Sequence, residues 1–256
     1  MVEADYPLAE NPRPVISTVE RQLGAHVAAL IRDGDCLQVG GGAVPAAVAE
    51  CITDRQDLGI HTELFTDWMV DLIERGCITG ARKQFDTGRV VTSFCRGTQR
   101  LYDFIHENPG VEFHPIEYTN DPYRIGCLDN VVAINAAMQI DLTGQINSES
   151  LGLRQMSGTG GLVDFVRGAA RSQGGRSIIA LPSTALGGTA SRIVPTFEPG
   201  TAVSVLRAEA HWIVTEYGAR NVRGMTLRER AQALIEIAHP VFRDMLTEAA
   251  RARHLG

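Results

Sequence analysis

Glu63 is a carboxylate that the sequence places between a short apolar run and a helix. Residues 58–62 are typical of a buried strand, and a helix is expected to begin near Thr66. A carboxylate at such a junction can attack an activated carbonyl group, which would make the chain an acyl-transfer enzyme. More commonly, a glutamate there only complements the positive end of the helix dipole. The residues alone leave both roles open.

Two glycine-rich loops lie where a strand ends and a helix begins, which is the edge where open α/β sheets bind ligands. The first loop runs from Gly40 to Val44, and its glycines allow positive φ and close approach of backbone N–H groups to a ligand. It matches neither the dinucleotide-binding pattern nor the P-loop, because the last glycine and the Lys-Ser/Thr pair are absent. A tight turn without a ligand explains the same glycines.

The second loop runs from Gly158 to Gly161 and precedes a helix that carries Arg167 and Arg171. A helix N-terminus favours anions. The wider region, residues 154–197, contains five arginines and a single acidic residue, Asp164. This local positive charge suits an anionic ligand, although arginines spread over a solvated face would give the same composition.

Composition narrows the class of protein. The 256 residues are 44% hydrophobic and 21% charged, with a net charge of −6, which argues against a general nucleic-acid surface. No apolar run is long enough to span a membrane, and the acidic start of the chain does not resemble a secretory signal, so a cytoplasmic protein is expected. Five cysteines without C-x-x-C spacing are expected to be reduced core residues, and no spacing indicates a metal site.

Strand–turn–helix units recur along the chain, which predicts an α/β fold with a mainly parallel sheet flanked by helices. Residues 1–16 are expected to form an extended arm, and residues 17–256 a single domain. Capping boxes at Ser17/Glu20 and Thr226/Glu229 predict two helices, the first reaching Arg32. Further strands are expected at residues 36–39, 89–94, 111–117, 177–181, 202–206 and 212–215, the last two as neighbours.

Six segments occur in an order and spacing that resemble one known family. They are Leu37–Pro45, Leu58–Glu63, Asp141–Asn147, Ser157–Phe165, Ile179–Thr184 and Val214–Gly218. Together they resemble the C-terminal half of the acetyl-CoA hydrolase/transferase family, which includes 4-hydroxybutyrate and butyryl-CoA:acetate CoA-transferases. The resemblance implies a CoA-transferase fold of the NagB/RpiA-like type.

The resemblance also implies a reaction. The family glutamate at the position of Glu63 is a nucleophile that passes through an acyl anhydride and a glutamyl-CoA thioester before an acceptor carboxylate takes the CoA. The substrates would be an acyl-CoA and a small carboxylate, with coenzyme A entering as a thioester and no permanently bound cofactor. Neither a nucleic acid nor a membrane is an expected partner.

By the same resemblance, residues around the glutamate would stabilise oxyanions or bind CoA. These are Gly40, Gly41, Gly42, Val44, Asn147, Gly158, Gly160, Gly161, Gly187 and Gly188. Trp68 stands where family members commonly have glycine, so its indole is expected to shape the substrate pocket. Glu216 lies in a recurrent motif, and its role stays open.

Family members have about twice this length, and their N-terminal half helps to form the cleft. The expected partner is therefore a second subunit that resembles that half, or another copy of the chain. Three functions are left: a CoA-transferase or one of its subunits, an acyl-CoA hydrolase using the same glutamate, and a CoA- or acyl-binding subunit without chemistry.

Overall fold

A computed structural model of the protein describes residues 7–256. Within these residues the α-helices, in chain order, are α1 (Thr18–Ala28), α2 (Ala43–Cys51), α3 (Asp67–Glu74), α4 (Gln99–Ile105), α5 (Ile116–Thr119), α6 (Pro122–Gly126), α7 (Leu162–Arg171), α8 (Leu227–Glu236) and α9 (Arg243–Ala252). Short 3-10 turns cover Leu186–Gly188 and Pro240–Phe242.

The strands of the described residues follow the same numbering. They are β1 (Cys36–Val39), β2 (Gly59–His61), β3 (Leu64–Phe65), β4 (Val90–Thr92), β5 (Phe94–Cys95), β6 (Val111–Phe113), β7 (Val131–Ala136), β8 (Gln139–Asp141), β9 (Ile146–Asn147), β10 (Ser150–Leu151), β11 (Arg154–Gln155), β12 (Arg176–Ala180), β13 (Thr184–Ala185), β14 (Ala190–Ser191), β15 (Ile193–Val194), β16 (Trp212–Thr215) and β17 (Gly218–Asn221).

The central sheet has eight strands in the order β17-β16-β12-β7-β1-β2-β4-β6. Every neighbouring pair is parallel except β16 and β17, which form an antiparallel edge. From β1 the chain builds one half of the sheet through β2, β4 and β6, and then returns beside β1 with β7 to build the other half. The strand order thus reverses between β1 and β7, and ligands bind beyond the carboxyl ends of strands at such a point.

Helices cover both faces of this sheet, so its strands are buried on both sides and read as apolar runs. Successive residues of strand β12 point to opposite faces of the sheet. Ile178 and Ala180 belong to the core beneath α1, α2 and α3, whereas Ile179 belongs to the core beneath α8 and α9. Helix α7 packs against α6 and the middle of the sheet. The predicted α/β fold with a mainly parallel sheet flanked by helices is confirmed.

Local sequence signals set several helix ends correctly. Both capping boxes form: Ser17 with Glu20 at α1, and Thr226 with Glu229 at α8. Helix α1 nevertheless ends at Ala28, before the expected Arg32, because the N–H groups of Leu30 and Ile31 bond to the carbonyl groups three residues back, which tightens the last turn into 3-10 geometry.

Some predicted strands are wrong. Residues 202–206 are not a strand beside β16, because β12 and β17 already pair with both edges of β16; Val205 forms an isolated bridge with Ile146 instead. The strand expected over residues 111–117 ends at Phe113, and α5 begins after Pro115, which cannot donate a backbone hydrogen bond to a sheet.

The cysteine prediction is wrong in part. All five cysteines are free, but Cys51 and Cys127 are exposed, and only Cys36 and Cys77 are buried. Cys51 is the last residue of α2 and Cys127 directly follows α6, so both exposed thiols lie at the ends of helices.

Residues 7–16 form neither helix nor strand and lie against the rest of the domain. The Asn11 N–H group donates to the Gly97 carbonyl at 2.8 Å, and Arg13 pairs with Asp71 at 2.8 Å. Residues 1–6 of the expected arm lie outside the described residues. No helix in the described part of the chain has the length and apolar character needed to cross a bilayer.

Candidate active site

Glu63 lies two residues beyond the carboxyl end of β2, near the centre of the sheet. Its backbone carbonyl accepts hydrogen bonds from the N–H groups of Ser93 (3.1 Å) and Phe94 (3.0 Å) and from the Thr92 hydroxyl (3.1 Å). These bonds tie the residue to the end of β4. The half-buried side chain therefore projects from a backbone held at the edge where parallel α/β sheets bind ligands.

The Glu63 carboxylate has an amide donor. Asn120 Nδ2 donates to Glu63 Oε2 at 3.2 Å. Asn120 directly follows α5 and precedes the Asp121 cap of α6, so the connection between two short helices delivers it. In the sequence this residue belongs to an ordinary turn, and nothing in its pattern indicates a chemical role; sequence analysis missed it.

Gly161 packs directly on the same carboxylate. A methyl group on its Cα would lie 2.3 Å from Glu63 Oε2 and 2.4 Å from Asn120 Nδ2, so a side chain there would displace both groups. Gly161 is also the N-cap of α7. The carboxylate consequently lies at a helix N-terminus, where free N–H groups and the helix dipole favour negative charge.

A second carboxylate, Asp164, lies in the first turn of α7. Burial, and after it the negative charge of Glu63, raises the pKa of the Asp164 carboxyl above its ordinary value, while Arg167 acts in the opposite direction. Asp164 makes the surroundings of Glu63 more negative, which opposes the stabilisation by the helix. In the sequence, Asp164 stands out only as the single acid of an arginine-rich region.

The loop after β1 lies next to the Glu63 segment. A methyl group on Gly41 would lie 3.2 Å from Leu64 Cδ2, whereas Gly40 and Gly42 border open space. Gly42 is the N-cap of α2 with a φ of 107°, a conformation that favours glycine. Val44, in the first turn of α2, packs against the large core instead of facing this space.

The other predicted glycines are more exposed. Gly158 and Gly160 are exposed and border open space, so Gly161 is the member of that loop that contacts Glu63. Gly187 and Gly188 belong to an exposed 3-10 turn and have positive φ values of 65° and 92°. They too border open space.

Glu216 anchors the base of the loop that carries Gly187 and Gly188. Its carboxylate accepts from the Ser183 N–H group at 2.8 Å and from the Ser183 hydroxyl at 2.5 Å. Ser183 follows β12 and is fully buried, and Glu216 follows β16. The recurrent glutamate, whose role the sequence left open, therefore joins the ends of two neighbouring strands.

Asn147 uses its amide within its own turn. Its Nδ2 donates to the Ser150 carbonyl at 2.6 Å, and its Oδ1 accepts from the N–H groups of Glu149 and Ser150, both at 3.1 Å. The side chain is fully buried. These contacts hold the connection between β9 and β10.

Trp68 lines a cavity of about 630 Å³ that lies between α2, α3 and residues 11–16. Gly41, Gly42 and Leu64 form the end of this cavity next to the Glu63 segment. The Trp68 side chain is 9% exposed, and its Nε1 has no hydrogen-bond partner in residues 7–256. The indole thus limits a cavity that reaches the Glu63 segment through Leu64.

The arginine-rich region is less available to an anion than its composition indicates. Arg167 pairs with Glu209 at 2.6 Å, and Arg176 is buried in an ion pair with Asp35 at the opposite, amino-terminal edge of the sheet. The Arg192 guanidinium donates hydrogen bonds to the carbonyl groups of Thr184, Ala137 and Met138. Within the described residues no group of three or more His, Cys, Asp or Glu side chains is arranged to hold a metal ion.

The sheet, with a carboxylate beyond an inner strand, has the CoA-transferase fold, because the crystallised 4-hydroxybutyrate CoA-transferase of Porphyromonas gingivalis matches it with a TM-score of 0.87 and 45% identity over 98% of this chain and 59% of that one. Crystallised RipA from Yersinia pestis matches it with a TM-score of 0.93 and 48% identity over 98% of this chain and 57% of that one. The succinyl-CoA:cyclohexane-1-carboxylate CoA transferase of Geobacter metallireducens is 50% identical over 251 residues, covering 98% of this chain and 57% of that protein.

The 4-hydroxybutyrate coenzyme A transferase of Clostridium kluyveri is 47% identical over 253 residues, covering 99% of this chain and 59% of that protein. The family model of the acetyl-CoA hydrolase/transferase C-terminal domain matches residues 97–250. The chain belongs to the acetyl-CoA hydrolase/transferase family, and the predicted resemblance is confirmed. It spans somewhat under three fifths of the length of these relatives.

Proposed function

We propose that this chain moves coenzyme A between an acyl-CoA and a small carboxylate, with Glu63 as the nucleophile. One observation carries the proposal: the Glu63 carboxylate lies beyond a central strand, against the N-terminus of α7, with Asn120 donating to one oxygen. The names of the relatives, which are CoA transferases, agree with this reaction.

The reaction begins when a carboxylate oxygen of Glu63 attacks the thioester carbonyl of the acyl-CoA. The C–S bond breaks, CoA leaves as a thiolate, and an acyl-glutamyl anhydride forms. The thiolate then attacks the side-chain carbonyl carbon of Glu63, and the acyl group leaves as a carboxylate. An acceptor carboxylate reverses these two steps on the resulting glutamyl-CoA thioester and leaves as a new acyl-CoA.

Each attack places negative charge on a carbonyl oxygen, so the site needs hydrogen-bond donors aimed at that oxygen. Asn120 Nδ2 already donates to Glu63 Oε2, and the first N–H groups of α7 lie at the helix end capped by Gly161. We assign further donors for the oxyanions or for CoA to the loop of Gly40, Gly41 and Gly42 and, with less direct contact, to Gly158, Gly160, Gly187 and Gly188.

We assign the cavity beside Leu64 to the acyl group. Its depth is limited by Trp68, whose side chain forms part of the cavity wall. Replacement of the indole by a smaller side chain is then expected to admit longer acyl groups, because it enlarges the cavity that Trp68 lines.

The proposal includes a partner and a location. A second polypeptide, or a second copy of the chain, is proposed to complete the cleft at the carboxyl edge, where Phe94 and Leu186 are exposed. A cytoplasmic location agrees with five free cysteines, which are typical of a reducing compartment.

The test is mass spectrometry after incubation with acyl-CoA thioesters such as the butyryl, 4-hydroxybutyryl and succinyl forms. The expected result is a CoA-sized adduct on the Glu63 peptide, lost in Glu63→Gln and retained in Glu236→Gln, a control at a surface ion pair in α8. Exchange of CoA in the Glu63→Gln variant would refute the proposal.

Two other outcomes identify the alternatives. If the wild type releases free CoA without any acceptor carboxylate, and Glu63→Gln does not, the chain is an acyl-CoA hydrolase. Tight CoA binding without an adduct, even in the presence of a partner subunit, identifies a binding subunit without chemistry.

A further inference from the structure

We propose that Ser93 and Thr119 are positioning residues that hold the Asn120 amide with its N–H group toward Glu63. The inference rests on the proposed function, because it concerns how the nucleophilic carboxylate is oriented. Neither hydroxyl contacts the Glu63 carboxylate, so both act through Asn120.

The hydrogen bonds form a closed ring that begins and ends at Glu63. The Ser93 N–H group donates to the Glu63 carbonyl at 3.1 Å, and the Ser93 hydroxyl is hydrogen-bonded to the Thr119 hydroxyl. The Thr119 hydroxyl donates to Asn120 Oδ1 at 2.9 Å, and Asn120 Nδ2 donates to Glu63 Oε2 at 3.2 Å. The same ring of hydrogen bonds thus holds both the backbone and the side chain of Glu63.

The donors in this ring follow from the number of hydrogens. A threonine hydroxyl has one hydrogen, and Thr119 gives it to Asn120 Oδ1, so the hydrogen between Ser93 and Thr119 belongs to Ser93. With Oδ1 engaged, the NH₂ group faces the carboxylate. The reversed amide would set two acceptor oxygens against each other at the Glu63 contact, which is unfavourable while Glu63 carries its charge.

A hydrogen bond from His61 also holds Thr119 in place. His61 Nε2 is hydrogen-bonded to the Thr119 carbonyl at 2.9 Å, and His61 precedes Glu63 by two residues on β2. The carbonyl can only accept, so Nε2 carries the hydrogen. Thr119 is fully buried and His61 is 2% exposed, so both contacts are shielded from water. Thr119 is consequently fixed to the strand that delivers the nucleophile.

The ring distinguishes the two oxygens of the carboxylate. Oε2 is occupied by the Asn120 N–H group, which leaves Oε1 to attack the acyl-CoA. When the thiolate later adds to the side-chain carbon, negative charge develops on Oε2, where the donor already lies, and the charge leaves with the acyl carboxylate when the bond from that carbon to Oε1 breaks. A misoriented amide would remove this donor and place an acceptor there.

The experiment compares Thr119→Val, which keeps the side-chain shape, with Thr119→Ser, which keeps the hydroxyl. In a single turnover with saturating acyl-CoA, the valine variant is expected to form the Glu63 adduct about 10- to 100-fold more slowly, since a hydrogen bond to a charged group is lost. The half-saturating acyl-CoA concentration is expected to stay within about twofold, and serine to restore most of the rate.

The matched control is Thr247→Val, because the Thr247 hydroxyl donates to the Arg243 carbonyl within α9, away from Glu63. Its adduct rate is expected to equal that of the wild type. An unchanged rate in Thr119→Val, or an equal loss in Thr247→Val, would overturn the inference. If Thr119→Val does not fold, Ser93→Ala takes its place, since it removes the donor that orders the Thr119 hydroxyl.

A spectroscopic measurement separates this inference from the proposed function. In protein with ¹⁵N-labelled asparagine, the side-chain N–H signals of Asn120 are expected to move in Thr119→Val as they do in Glu63→Ala, and to stay in place in Thr119→Ser. Unchanged Asn120 signals in Thr119→Val contradict the ring. No acyl-CoA is needed, so this result decides the inference even if the wild type forms no adduct, an outcome that would count against the proposed function alone.

Discussion

At the scale of residues, the reactivity of Glu63 depends on what surrounds one carboxylate. Gly161 and the N-terminus of α7 lie against it, Asn120 donates to it, and Asp164 adds a second negative charge nearby. The Asn120 amide engages Oε2 of this carboxylate. Small displacements therefore change which oxygen is free to attack.

Gly161→Ala tests this packing. The backbone of Gly161 has φ −85° and ψ 5°, which alanine tolerates, but the added methyl group would lie 2.3 Å from Glu63 Oε2. The carboxylate must move, and the rate of adduct formation is expected to fall on the order of 10²-fold. Gly158→Ala adds a methyl group that meets nothing within 4 Å and is expected to lose much less. Equal losses in single-turnover measurements would contradict the packing.

His61 predicts a pH dependence of stability. Burial lowers the pKa of His61 to about 4, below its ordinary value near 6.5. Between these values the unfolded chain binds a proton that the folded chain does not, so this contribution to the free energy of unfolding is present above about pH 6.5 and is lost as the pH falls toward 4. The contribution is on the order of 3 kcal/mol.

The check is urea denaturation of the wild type and His61→Gln at about pH 7 and about pH 4.5, where the variant is expected to lose less stability on acidification. Asp35, whose pKa burial raises, acts in the opposite direction but is common to both proteins and cancels. The same pH dependence in both proteins would show that His61 is not the group responsible.

At the scale of elements, the site is a meeting of strand ends and helix starts. Strand β2 delivers Glu63, the end of β4 holds its backbone, the turn between α5 and α6 delivers Asn120, and α7 supplies its N-terminus. Each of these elements comes from a different part of the sequence. The parallel sheet brings them together because its carboxyl ends share one edge.

Glu216 joins two such ends, and its loss is expected to loosen the loop after β12. In Glu216→Ala the N–H and hydroxyl groups of buried Ser183 lose their acceptor, which is expected to cost about 2–3 kcal/mol, against about 1 kcal/mol for Ser183→Ala. Urea denaturation measures both. If the two residues act as one unit, the double variant costs less than the sum; full additivity would contradict the link.

At the scale of the whole molecule, exposed apolar side chains surround the carboxyl edge. Leu153 is 91% exposed on the hairpin of β10 and β11, Leu186 is 80% exposed beside Gly187, and Phe94 is 44% exposed next to the Glu63 segment. Single exposed apolar residues are common on protein surfaces. Their position around one edge favours a partner there.

We expect hydrogen–deuterium exchange to locate that partner. The chain is measured alone at low and high concentration, and then mixed with the part of a relative that it does not match. Binding is expected to protect residues 151–158 and 184–191. Protection that appears at high concentration of the chain alone indicates self-association, and protection that appears only in the mixture indicates a second polypeptide. Protection confined to the amino-terminal edge, near Asp35 and Arg176, would contradict the proposed cleft.

The sequence by itself determined the class of fold and the nucleophile candidate. Apolar runs and two capping boxes are local signals, and they predicted the parallel sheet, the start of α1 and the start of α8. The ordered motifs identified the family. Residues 202–206 were misassigned because an apolar run does not reveal that β16 already has two neighbours.

Only the tertiary structure decided what surrounds Glu63. Asn120, Thr119 and Ser93 lie 57, 56 and 30 positions further along the chain, and each looks like an ordinary turn or strand-end residue in the sequence. Their hydroxyl and amide groups gain a direction only when β2, β4 and α5 meet at one edge. Hydrogen bonding depends on distance and angle in space, and no local pattern encodes either across such separations.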